Sequence, residues 1–247
     1  MLATLTIDGP LATLTLNRPE QRNALSIDLL EALHARVDEL AARTDVTAAI
    51  VTGAGKAFCA GMDLKQVLGS PELAQALLGS LAELTYKLRT LPCVTLAVVH
   101  GAAIGGGCGL TTVCDLSITH AESKMGFPEV DLGVCPAVVG PWLCKKIGVS
   151  AARRVLLSGG LMSGLEAHRE GIVTMVAGTR EELDVEAAKV AARLATGAPG
   201  ALRATKALMN EIDGSLDREV LMRAARLSAD VLNMPQTQAM LRSKLGA

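Results

Sequence analysis

Two short alternations of apolar and polar residues, Thr4 to Ile7 and Ala12 to Leu16, flank Asp8-Gly9-Pro10 near the start of the chain. Alternation on both sides of such a turn predicts a β-hairpin. Ile27, Leu30, Leu33, Val37 and Leu40 then recur at helical spacing behind Ser26, whose hydroxyl suits an N-cap. Ala48 to Thr52 and Val94 to Val99 are continuous apolar stretches of strand length, with a second helix predicted between them from Pro71 to Leu91. Gly106 to Cys114 reads as a short buried helix, and Asp115 to Thr119 and Lys124 to Phe127 as strands. From Pro136 onward the pattern is nearly all helical, apart from Ile172 to Val176. Its clearest stripe is Leu216, Val220, Leu221, Ala224, Leu227 and Val231, with Asp217, Arg218, Arg223 and Asp230 off it. Strands alternating with helices predict an α/β layered core. The stretch Thr196 to Gly200 divides the chain into 1–195 and a helical region, 196–247.

Composition narrows the class. A chain of 247 residues that is 50% hydrophobic can bury one sizeable core. With 24 basic and 25 acidic residues the formal charge is −1, which argues against nucleic acid or an anionic membrane as partner. The run Leu91 to Cys114 carries no charge and is long enough to span a bilayer, but Pro92 and five glycines interrupt it, so it reads as strand, loop and helix. Six scattered cysteines form no Cys-x-x-Cys pair, and no cluster has metal-ligand spacing. Without a recognisable signal peptide they suggest free thiols in a reducing cytoplasm, and no metal is expected.

The candidate chemistry lies in two glycine-punctuated loops, Gly53-Ala-Gly-Lys-Ala-Phe-Cys-Ala-Gly-Met-Asp-Leu64 and Gly101-Ala-Ala-Ile-Gly-Gly-Gly-Cys-Gly109. Each follows an apolar strand, and glycine lets a backbone approach a ligand closely. Two such loops over one pocket can aim two backbone N–H groups at one oxygen, the geometry that stabilises an oxyanion. Spacing excludes a P-loop, since Gly55-Lys56 is followed by Ala57, and a dinucleotide fingerprint, since Gly109 continues into Leu110-Thr111 without the acidic partner. There is no Gly-x-Ser-x-Gly elbow.

Together with Asn17-Arg-Pro-Glu-Gln-Arg-Asn-Ala-Leu25 and Phe127-Pro-Glu-Val-Asp-Leu-Gly133, these loops resemble the crotonase (enoyl-CoA hydratase/isomerase) superfamily, in order, over Thr4 to Glu211. The resemblance implies a spiral of ββα repeats, with residues 196–247 as a helical appendage used for trimerisation, as a homotrimer or dimer of trimers. It implies an acyl-CoA substrate, with coenzyme A as part of the substrate and no separate cofactor. It places the oxyanion donors at the backbone N–H groups of Met62 and Gly106 and the acid/base at Glu129. It carries CoA binding to Arg22, Ala24, Ala60, Asp63 and Leu64, with Lys206 as a further phosphate contact. The acyl pocket is expected to involve Met62, Leu68, Val134 and Trp142. Asp131, two residues past Glu129 and on the same face of an extended segment, and His100 are possible auxiliaries.

One departure matters. Familiar hydratases of the superfamily carry a second glutamate three residues after the oxyanion glycine, where this chain has Gly109. Two enzymatic readings remain: hydration of a 2-enoyl-CoA, branched or methylglutaconyl-like, with one glutamate, or Δ3-Δ2-enoyl-CoA isomerisation by Glu129 alone. The local motifs are similar both to methylglutaconyl-CoA-hydratase-type members and, through Phe58-Cys-Ala-Gly-Met-Asp-Leu64, to single-glutamate enoyl-CoA isomerases; more of them agree with the first. A non-catalytic CoA-binding or scaffold homologue is the alternative of another class, against which both glycine loops and Glu129 speak.

Overall fold

A computed structural model describes residues 1–246. The hairpin forms as expected: β1 (Ala3–Asp8) pairs antiparallel with β2 (Leu11–Leu16). Helix α1 (Ile27–Ala41) is capped by Ser26, whose hydroxyl accepts from the Leu29 N–H, and buries Leu29, Leu30, Leu33, Val37 and Leu40. The chain continues through β3 (Ala48–Gly53), the single turn α2 (Leu64–Val67) and α3 (Pro71–Thr90). Then come β4 (Val94–Val99), the short β5 (Ala103–Ile104), α4 (Gly106–Val113), β6 (Leu116–His120) and β7 (Lys124–Gly126). Helices α5 (Gly140–Ile147) and α6 (Val149–Ser158) precede β8 (Leu161–Ser163), α7 (Gly164–Arg169) and β9 (Met175–Ala177). The rest is helical: α8 (Arg180–Ala195), α9 (Pro199–Ile212), α10 (Arg218–Leu232) and α11 (Pro235–Leu245).

The main sheet has the order β1-β2-β3-β4-β6-β9 and is parallel from β2 onward. A second, small sheet has the order β5-β7-β8. After β4 the chain enters the small sheet at β5 and then a helix; after β6 it does so again at β7. Each such passage is one ββα turn of a spiral. Parallel strands covered on both sides are apolar on both faces, which explains the uninterrupted runs in β3 and β4. One face meets the main core under α1, α3 and α4, and the other packs Leu96, Val98 and Ile118 against Leu183, Ala187 and Ala191 of α8. The strand at Leu161–Ser163 lies in the stretch expected to be helical. It pairs antiparallel with β7, Ser163 standing opposite Lys124, and so is set by a distant partner with no local pattern of its own.

The division at Thr196 to Gly200 falls between α8 and α9, yet the helices beyond it do not stand apart. Helix α10 lies along α3, and Thr237 on α11 donates to the Gly133 carbonyl. The buried face of α10 also differs from the expected stripe. Leu221, Ala225, Ser228, Ala229 and Leu232 are buried, whereas Leu216 and Leu227 are exposed. Small side chains let two helices approach closely, so α3 selects the Ala/Ser face rather than the one with the larger apolar residues. Among the described residues no helix is long and apolar enough to cross a membrane.

Candidate active site

The two glycine loops meet through a parallel bridge, Cys59↔Ala103, in which Cys59 N–H donates to the Ala102 carbonyl and Ile104 N–H to the Cys59 carbonyl. Gly107 permits this approach, since a Cβ there would stand 2.3 Å from the Cys59 carbonyl oxygen. A Cβ on Gly61 would lie 2.8 Å from the Ile104 oxygen and 3.9 Å from the Gly106 nitrogen, so Met62 and Gly106 follow the point of closest contact. Among the described residues neither the Met62 nor the Gly106 N–H has an acceptor within the chain. Gly106 also opens α4, where the helix dipole favours negative charge.

A third loop braces the first. Asn23 is fully buried in the left-handed region (φ 56°), a conformation asparagine tolerates better than most residues. Its amide donates to the carbonyls of Ala54, Ala57 and Phe58, and its Oδ1 accepts from the Arg18 N–H. Arg18 in turn donates to the Ala24 carbonyl and pairs with Asp63 at 2.9 Å. These two residues were not singled out from the sequence, although both sit in the Asn17–Leu25 motif; their signal was membership of that motif, without a chemistry to attach to it.

Glu129 lines the same cavities as Met62 and Gly106. It precedes a single tight helical turn, Val130–Leu132, and its carbonyl accepts from the Leu132 and Val134 N–H groups. Its Oε1 lies 2.9 Å from where a Cβ on Gly105 would be, while Oε2 is buried without a hydrogen-bond partner. Burial raises its carboxyl to about 7, an effect only partly offset by its own backbone N–H. Ala60, Met62, Leu64, Ile104, Leu132 and Val134 surround one cavity of about 60 Å³ in front of it. A second cavity, of about 20 Å³, shares Met62, Gly106, Glu129 and Val134 and extends toward Leu78, Leu81, Val138, Val139 and Ser228.

The place of a second acid is filled. A Cβ on Gly109 would stand 2.3 Å from Val139 Cγ1, so the valine occupies the room a longer side chain at 109 would need. Among the described residues Glu129 is the one carboxylate lining either cavity.

Several expected site residues lie elsewhere. Asp131 turns away and accepts from the Gly160 N–H at 2.8 Å, because the segment after Glu129 is a tight helical turn and not extended. His100 bridges the Thr52 hydroxyl and the Gly55 carbonyl, and desolvation lowers its pKa; it is a strand-end anchor outside both cavities. Lys206 is buried, with its ammonium on Asp115 at 2.8 Å and on the Cys93 carbonyl, so its charge is used inside the molecule and not offered to a CoA phosphate. Asp63 is committed to Arg18, and its N–H to the Leu25 carbonyl. Trp142 is buried against a different hollow, beside Lys145 and Asp213, and Leu68 packs on the core; neither lines a cavity at Glu129. Arg22 is exposed in the left-handed region, its carbonyl holding the Ala60 N–H at 3.0 Å. The six cysteines are free, and burial pushes Cys59, Cys108 and Cys114 up to about 12, which makes them inert fillers. Among the described residues no three His, Cys, Asp or Glu side chains converge.

Comparison with known proteins identifies the family. A family model described as enoyl-CoA hydratase/isomerase matches residues 6–244. A Thermus thermophilus protein provisionally named as an enoyl-CoA hydratase is 38% identical over 211 residues, covering 83% of each chain. The 2,3-dehydroadipyl-CoA hydratase of Escherichia coli is 32% identical over 199 residues, covering 80% of this chain and 77% of that one. Among solved structures, an enoyl-CoA hydratase from Mycobacterium avium superposes with a TM-score of 0.88 at 28% identity, covering 99% of this chain and 96% of the other.

Proposed function

This chain belongs to the enoyl-CoA hydratase/isomerase family, and on that premise we propose that it adds water across the double bond of a 2-enoyl-CoA thioester. The observation that carries the reading is Glu129, a carboxyl raised to about 7 that shares a cavity with Met62 and Gly106, whose backbone N–H groups are unengaged. Such a group takes and returns a proton near neutrality. The N–H groups of Met62 and Gly106 hold the thioester oxygen. Glu129 accepts a proton from water as the hydroxyl adds to C3, charge gathers on the thioester oxygen, and the proton on Glu129 passes to C2. The step consumes one water and needs no cofactor beyond the CoA carried by the substrate. The hydratase names of the relatives support hydration over other chemistry of the family. Arg22, Ala24, Ala60 and Leu64 are the proposed CoA path. Assembly as a homotrimer or dimer of trimers belongs to the same proposal and is supported by the apolar row Val220, Ala224 and Leu227 beside Leu156 and Leu157.

A second reading has its own observation. With Val139 against Gly109, Glu129 works without a partner acid, which suits transfer of one proton from C2 to C4 of a 3-enoyl-CoA. Incubation with 2-enoyl- and 3-enoyl-CoA in heavy water, read by mass spectrometry, separates the two. Gain of one water supports hydration; double-bond migration with deuterium uptake and no added water assigns isomerisation instead.

The same contact sets the outcome of Gly109→Glu. Because its Cβ meets Val139 at 2.3 Å, the single substitution is expected to lower stability by about 1–3 kcal/mol without raising hydration. Gly109→Glu with Val139→Gly is expected to raise crotonyl-CoA hydration by about tenfold or more. A gain from the single variant in a folded protein would show that Val139 is not the obstacle.

A further inference from the structure

The two cavities at Glu129 share the residues that hold the thioester and the reacting carbons, and they differ in what lies beyond. The first continues past Ala60 and Leu64, on the side of the proposed CoA path. The second, of about 20 Å³, has neither Ala60 nor Leu64 in its wall, and this is the space left for whatever follows C3 of the acyl chain. A space of that size is close to one water molecule. Its walls come from three elements: Leu78 and Leu81 on α3, Val138 and Val139 before α5, and Ser228 on α10, each at most 3% exposed.

Ser228 completes the wall. Its hydroxyl donates to the Cys135 carbonyl at 2.8 Å and accepts from the Ala137 N–H at 3.2 Å, so both of its roles are used in tying α10 to the 135–137 segment. On the far side of that segment lies a larger apolar groove of about 880 Å³, bordered by Cys135, Pro136, Ala137 and Leu227. Arg223 and Arg226 lie on that groove; neither cavity at Glu129 has a Lys, Arg or His among its lining residues. A second carboxylate brought into the small cavity would be buried beside Glu129 without a counter-charge, a costly arrangement.

We propose that the acyl site takes a short, uncharged 2-enoyl group, and that the Ser228 stitch between α10 and the 135–137 segment, with Val139 beside it, sets that limit. This rests on the hydratase reading and narrows it: acyl groups that end in a carboxylate, methylglutaconyl-like ones included, are poor substrates, although the E. coli relative is named for one.

The test uses the full chain and two readouts. Turnover is measured on 2-enoyl-CoAs of four to ten carbons, with 2-pentenoyl-CoA and glutaconyl-CoA as a pair of equal length that differ in one terminal carboxylate. Calorimetric Kd values are measured for the saturated acyl-CoA series. Expected are a fall in kcat/KM of at least tenfold from four to eight carbons, a parallel weakening of Kd, and glutaconyl-CoA at least a hundredfold below 2-pentenoyl-CoA. Ser228→Gly and Val139→Ala are each expected to raise the eight- to four-carbon ratio of kcat/KM at least tenfold; either one suffices if the other fails to fold. Equal turnover across the series, or glutaconyl-CoA matching its uncharged partner, would overturn the proposal. So would unchanged ratios in folded variants. Graded acyl-CoA binding with no turnover of any enoyl-CoA would remove the hydratase reading and leave the size limit standing. No binding of any acyl-CoA would remove both.

Discussion

Glu129→Gln is expected to lower kcat by about 10³-fold or more while acyl-CoA binding stays within a few-fold, and to make the protein more stable above neutrality. The first effect follows because the amide cannot exchange a proton and, among the described residues, no second carboxylate lines either cavity. The second follows from the cost of burying charge. Raising the carboxyl from 4.5 to about 7 corresponds to about 3 kcal/mol against the charged form. Between those two pH values the folded protein keeps a proton that the unfolded chain has released. Stability from this group therefore falls as pH rises through the window, and above about pH 7 the whole penalty is present. The glutamine carries no charge, so its Tm advantage should be about 6–12 °C near pH 8 and small near pH 5. The wild-type kcat/KM for hydration should rise with pH to a limb near 7, set by the base form of the free enzyme. Melting curves at the two pH values and a pH–rate profile check both halves. A limb near 4.5 with equal melting temperatures would mean that Glu129 is solvated and the site is misread.

Gly107→Ala is expected to force the two glycine loops apart. Its Cβ would stand 2.3 Å from the Cys59 carbonyl oxygen and 2.8 Å from Cys59 Cβ, and Cys59 is bridged to Ala103 on the same side. The obstacle is the Cys59 backbone and not the end of a flexible side chain, so separation of the loops is the relief available. The Met62 and Gly106 N–H groups lose their common aim, with an expected loss of about 10²–10³ in kcat and about 1–3 kcal/mol of stability. Gly79→Ala is the matching control: nothing lies within 4 Å of its Cβ, and it sits inside α3. That change should stabilise by up to about 1 kcal/mol and leave kcat alone. Full activity in a folded Gly107→Ala protein would show that the donors do not depend on this contact.

What was legible in the sequence was what is determined locally. Ser26 precedes a helical stripe, and the cap forms there. Val94–Val99 is a strand because a β-branched run covered on both faces has no better use. Glu129 and the glycines stand where the motifs put them. Failures came where a distant partner decides. Asp131 shares a face with Glu129 only on extended backbone, and the turn at Val130–Leu132 removes that condition. Lys206 looked free because Asp115, 91 positions away, is invisible to a local reading. The 20 Å³ cavity is closed by a serine on a helix that buries Ala225, Ser228 and Ala229 and leaves Leu227 exposed. Close helix packing favours small residues, and hydrophobicity ranks these low.

The bond from Ser228 to Cys135 also joins positions 93 residues apart, and it has a consequence for the order of events in folding. The hairpin, α1 and both glycine loops are all made from the first half of the chain, but the acyl site lacks a wall until α10 has docked on α3. Contacts of such long separation form late, after the loop-closure cost of the intervening chain has been met. A molecule that binds only the closed site then recognises the finished fold and no precursor of it. Acyl-CoA would leave the folding rate unchanged and act entirely by slowing escape from the native state.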